Sequence, residues 1–232
     1  MPPSVHFNLT GLSATRVVYF GGIAKYILTR ISTFRHTIST CRNCTLAVSL
    51  TTPASAPRSS FLFLANRDIG NCYLAQQKFV EAEASFQKLL QYAPVWPGTN
   101  DSAYPINFRQ IATAQMGQQQ WAAARQTLLK SIALFEPQIA ARERSDAEIG
   151  ADLSLNYRGS QSRSYALLAV VYFREGLIQD ALNTVEKAYD EVTKYNLAPQ
   201  YRTEIENIGK SIADASGNVA AQKLWSQRGP AR

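Results

Sequence analysis

Cys41 and Cys44 stand in a C-x-x-C arrangement, the spacing of a redox dithiol or of one half of a tetrahedral zinc site. The rest of the chain does not complete either one. A closed zinc site needs four ligands, and the sequence offers only one more cysteine, Cys72, and two histidines, His6 and His36. No strand–helix–strand pattern surrounds the pair, as a redox motif requires, so it reads as two incidental thiols in a loose segment. Both histidines precede residue 37, which leaves the remainder without the base of a histidine triad. There is no Gly-rich phosphate loop, no G-x-S-x-G and no H-E-x-x-H. Acidic residues such as Glu81, Glu83, Asp190 and Glu191 fall on helical faces, where charge is ordinarily solvated. The expectation is therefore a protein without catalysis, cofactor or metal.

The elements that would carry any such residues are helical. From residue 61 onward Ala, Gln, Leu, Glu, Lys and Arg dominate, and apolar residues recur at spacings of three and four. Breaks are expected at 93–105 (APVWPGTNDSAYP), 156–162 (NYRGSQS), 196–199 (NLAP) and 216–218 (SGN), each carrying Gly, Pro or Asn. No segment alternates with the period of two that marks a strand. The expected class is all-α, built from antiparallel helix pairs. A chain of 232 residues, 46% hydrophobic, suffices for one packed domain with an extension.

Residues 1–60 form that extension. They are rich in Ser and Thr and lack any acid; the first is Asp68. Seven basic residues (Arg16, Lys25, Arg30, Arg35, Arg42, Arg58, Arg67) lie in 1–67. The other 17 of the 24 Lys and Arg balance the 17 Asp and Glu, so the formal charge of +7 belongs to this tract. A basic total of this kind is weak support for nucleic-acid binding. The tract is irregular, with no apolar run long enough to span a membrane, because Lys25 and Arg30 interrupt 17–34. Three readings stand open: an organellar transit peptide, a secretory signal ending near Ala54-x-Ala56 with a start downstream of Met1, or a plain extension. The compartment stays undecided between cytoplasmic and exported.

One stretch stands apart. In 69–94 (IGNCYLAQQKFVEAEASFQKLLQYAP), Ile69-Gly70 is followed by Tyr73, Phe79, Ala82, Phe86 and Pro94. This spacing resembles the tetratricopeptide repeat (TPR), a helix–turn–helix of 34 residues with Leu-Gly, Tyr, Ala, Phe and Pro at those places. The same register recurs in Phe108, Ile111-Ala112, Trp121, Ala124 and Leu128; in Tyr165, Leu168-Ala169, Tyr172, Gly176, Ala181 and Val185; and in Ile205, Ile208-Gly209, Ala221 and Trp225. Gly70, Ala112, Ala169 and Gly209 each precede an alanine by twelve residues. Two helices crossing closely need small residues where their backbones meet, and the resemblance implies that these pairs face each other. It also implies that neighbouring aromatics fill the space to the next pair.

The resemblance implies an α–α superhelix of about four pairs, at about 63–96, 105–138, 162–195 and 202–232, within a repeat domain of 61–232. These starts are wider than 34 apart, which predicts insertions of roughly 8, 23 and 6 residues. The largest includes 139–155, read as a prolonged second helix and a loop.

In this family first helices line a concave side that takes a peptide or a partner protein. The expected groove residues are Arg67, Asn71, Leu74, Arg109, Gln110, Thr113, Arg163, Val170 and Arg174. Arg67, Asn71 and Arg163 fit places of the clamp by which one branch of the family holds an acidic chain terminus. Gln110 replaces an Asn there, and Leu167 stands where that clamp has a basic residue. The expected function is a non-catalytic protein-binding scaffold with a modestly basic groove. The alternatives are an exported or membrane-associated assembly factor, and a nucleic-acid binder acting through the basic tract.

Overall fold

A computed structural model of the chain describes residues 60–92, 103–149 and 154–228. Among these residues it has helices and turns and no strand. The helices are α1 (Ser60–Ala75), α2 (Phe79–Tyr92), α3 (Ala103–Gly117), α4 (Trp121–Ile149), α5 (Ser154–Arg174), α6 (Ile178–Lys194), α7 (Pro199–Ser216) and α8 (Val219–Gln227). The expectations placed on residues 1–59, with Cys41, Cys44, His6 and His36, lie outside the described residues, as does most of the break at 93–105.

Each helix packs on the next in order, and the odd-numbered helices also touch one another, α3 on α5 and α5 on α7. This is the expected sequence of helix pairs, α1/α2 through α7/α8. None of the described helices is long and apolar enough to cross a membrane.

Turns of one design close α1, α3, α5 and α6. After α1 the Lys78 N–H donates to the Tyr73 carbonyl (2.9 Å) and Gln77 N–H to Leu74 (3.0 Å), which satisfies the last carbonyls of the helix. The same two bonds recur at Gln120→Gln115 with Gln119→Met116, at Leu177→Tyr172 with Gly176→Phe173, and at Leu197→Val192 with Asn196→Thr193. In the first three turns the residue closing one helix also starts the next. The carbonyls of Lys78, Gln120 and Leu177 accept from Ala82, Ala124 and Ala181, the alanines of the repeated spacing. The motif requires a left-handed residue, and here Gln77 (φ 59°), Gln119 (φ 61°), Gly176 (φ 80°) and Asn196 (φ 46°) take that place. At the last hairpin Gly217 ends α7 in the same conformation, and the Asn218 side chain caps α8 by accepting from Ala221 N–H at 3.0 Å.

The small residues lie where helices cross, but they accommodate a large partner of their own pair. Ala82, Ala112, Ala124, Ala169 and Ala181 have no exposed surface. A methyl group added to Gly70 would lie 2.5 Å from the Phe86 ring, and one on Gly209 would lie 2.5 Å from that of Trp225. Each aromatic stands sixteen residues after its glycine. Where the small residue is alanine, the residue sixteen on is smaller, Leu128 after Ala112 and Val185 after Ala169, all buried. The volume removed at one position is returned at the other, so packing density is kept. Phe86 and Trp225 thus fill the crossing of their own pair and also reach the neighbouring one, as expected of the aromatics: Phe86 is buried with Phe108 and Ile111 of α3, Trp225 meets Tyr189 of α6 edge-on, and the Phe79 ring lies against Gly117.

The largest insertion lengthens two helices. α4 runs 29 residues and passes through Pro137, whose missing N–H leaves one turn of the ladder open. Beyond the proline, Ile139 is buried with Phe135 and Tyr157. The Asp146 carboxylate then accepts from the Ser154 backbone N–H at 2.7 Å, fixing the start of α5. The expected prolonged second helix is therefore present, while the expected break at 156–162 is not. α5 is continuous from Ser154 to Arg174. Gly159 is a packing residue in that helix, because a methyl group there would meet the Tyr201 ring of α7 at 2.5 Å. α5 is buried on several faces, and its serines keep it narrow. Ser162 and Ser164 turn their hydroxyls back to the carbonyls of Arg158 and Ser160, four residues earlier.

Candidate functional site

The first helices α1, α3, α5 and α7 are linked side to side by a polar ladder. Gln110 Nε2 on α3 donates to Asn71 Oδ1 on α1 at 2.9 Å. The next residue round the other way, Arg109, donates from its guanidinium to the Ser160 carbonyl on α5 at 2.8 Å. On α5, Arg163 grips Glu204 of α7 with two nitrogens, Nε at 2.7 Å and a terminal nitrogen at 2.6 Å. Both nitrogens converge on one oxygen, Oε2, of the carboxylate, in a charge-assisted contact. The Arg163 guanidinium carbon also lies 5.7 Å from the centre of the Tyr201 ring.

The expected groove residues thus have definite places. Asn71, Gln110, Arg109 and Arg163 belong to the ladder. Arg67 lies at 3.6 Å from the neighbouring Asp68. Thr113 donates its hydroxyl to the Arg109 carbonyl, one turn back. Leu74 is half-buried against the Ala82–Phe86 cluster. Val170 is 7% exposed and belongs to the main core, so it supports the face from beneath. Arg174 lies over the Trp121 ring at 5.9 Å, at the turn end of α5.

Charge on the ladder is unevenly matched. Arg109 is pulled below the ordinary guanidinium range, to about 10, first by burial and then by the positive charge of Arg163; Glu204 and Tyr201 oppose this. It remains a cation at neutral pH. Two guanidinium groups therefore share the field of one carboxylate, Glu204.

The reverse side of the array carries a second feature that sequence reasoning missed. The lengthened α4, with α5 and α6, encloses a notch of about 290 Å³. Arg158 stands in its wall, paired with Glu143 and Glu191 and stacked 3.7 Å from the Tyr195 ring centre. Lys187 lies 4.4 Å from the Tyr165 ring centre, and its hydrogen bond to Tyr165 raises its pKa. Every charge named here has an internal partner, so the notch reads as the sealing of an elongated hairpin. No group of three metal-ligating side chains occurs among the described residues.

Two crystal structures of nearly identical TPR-like repeats from a putative kinesin light chain of Podosopora anserina superpose on this chain. Their TM-scores are 0.61 and 0.60, at 16% and 14% identity, over 88% of this chain and 91% of that one in each case. The fold is a TPR-like solenoid. No family model and no curated protein matches the chain.

Proposed function

We propose that the chain is a non-catalytic binding module that docks a peptide segment of a partner protein on the face formed by α1, α3, α5 and α7. The observation that carries this reading is the ladder itself. Arg67, Asn71, Arg109, Gln110 and Arg163 stand on successive first helices, and the last four are fixed by bonds that cross between repeats. Donors held in place before a ligand arrives lose little freedom on binding, which favours affinity. Guanidinium outnumbers carboxylate on this face, with Arg67, Arg109 and Arg163 against Asp68 and Glu204, so the preferred segment is acidic.

The test is to capture partners from the source cell on immobilised full-length protein, then to measure the affinity of the purified partner. Changing both Arg67→Glu and Arg163→Glu should weaken that affinity about tenfold or more. Affinity unchanged in the double variant removes the reading.

A further inference from the structure

Glu204 sits where a ligand would be expected. It comes from α7, the last of the first helices, and its Oε2 takes two nitrogens of Arg163, while Arg109 reaches the Ser160 carbonyl one turn before Arg163 on α5. The pair is half-buried, with side-chain exposures of 26% for Arg163 and 33% for Glu204, so solvent reaches it and it can exchange partners without unpacking the core. Tyr201, one turn earlier on α7, is held against Gly159, which fixes the helix while leaving the Glu204 side chain half-buried.

We infer that Glu204 is an internal competitor, a carboxylate of the protein's own that occupies the Arg163 fork and is displaced when an acidic segment of a partner binds between Arg109 and Arg163. This rests on the proposed binding function and adds a residue that limits it. Three features meet here: two guanidinium nitrogens of Arg163 on one oxygen of a carboxylate, a second guanidinium one turn away that forms no ion pair of its own among the described residues, and partial exposure of the held acid. An incoming side-chain carboxylate or chain terminus has the same shape and charge as the group it replaces. It also brings the second negative charge that Arg109 lacks. Affinity for acidic segments is then the difference between two similar exchanges, and so it is held low until the internal acid is removed.

The probe is a fluorescently labelled octaglutamate peptide, with octaglutamine as the uncharged control, titrated against the full chain at about 0.15 M salt and read by anisotropy. Glu204→Gln should bind octaglutamate about 3–10-fold more tightly than the wild-type chain and leave octaglutamine unaffected. Glu204→Ala should do the same. Asp190→Asn makes the same change in net charge on an exposed position of α6 and should shift the affinity less than about 2-fold. Adding Arg163→Gln to Glu204→Gln should cancel the gain. Equal binding by the wild type and both Glu204 variants overturns the inference while leaving the binding function standing. An equal gain from Asp190→Asn overturns it too, because the effect is then one of general charge. No binding of octaglutamate by any variant overturns both the inference and the acidic preference.

Discussion

At the scale of single residues, conformational strain and buried charge locate the costs. Gln77 and Gln119 adopt a left-handed backbone that costs a residue with a Cβ about 1–2 kcal/mol and costs glycine almost nothing. Gln119→Gly should therefore raise stability by roughly 0.5–1 kcal/mol after glycine's extra chain entropy, measured by urea unfolding. A fall in stability would show that the turn is not the one described. Arg109 is costly in another way, since its charge is partly buried beside that of Arg163. Arg109→Met should leave stability unchanged or raise it by ~1 kcal/mol, while weakening octaglutamate binding. Folding lowers the Arg109 pKa to about 10. Below that pH folded and unfolded states both hold the proton, and only above it does stability rise with pH. The stability difference between wild type and Arg109→Met should accordingly be the same at about pH 7 and about pH 9. Neither cost was legible beforehand. The turn at Gly176 carries an evident signal, but nothing in a run of glutamines (Gln118, Gln119, Gln120) announces a left-handed residue.

At the scale of helices, the crossings are set by paired volumes. Gly209 admits the Trp225 ring, which is 2% exposed and has no room to move. In an open helix Gly→Ala gains up to about 1 kcal/mol. At Gly209 the added methyl should instead destabilise by about 1–3 kcal/mol, and Trp225→Leu in the same chain should recover part of that loss. Additive effects in this double-mutant cycle would disprove the contact. The spacing of small residues was readable because helix crossings impose it within each pair. The course of α5 was not. Gly159 and the serines about it resemble a turn in composition, yet Gly159 meets Tyr201, a residue far along the chain. A local signal cannot distinguish a glycine that ends a helix from one that admits a distant ring. Pro137 misleads in the same manner, because burial of Ile139 against Tyr157 carries α4 past it.

At the scale of the whole array, the repeats are joined by polar bonds as well as by apolar packing. Gln115 and Gln118 donate to Glu83, Asn107 to the Phe86 carbonyl, and Gln161 to the Ile132 carbonyl. These bonds, with the ladder on the first helices, fix each pair to the next. The all-helical class, the pairing of helices and the expected position of most ladder residues were available from sequence. The partners were not, because Arg163 and Glu204 are 41 residues apart and no periodic pattern connects them. The face of α1, α3, α5 and α7 is the proposed binding surface. Amide hydrogen exchange of the full chain, with and without saturating octaglutamate, tests it most directly. Added protection should appear in the segments of α3, α5 and α7 that contain Arg109, Arg163 and Glu204. Protection confined to α2, α4, α6 and α8, or none at saturation, would contradict the account.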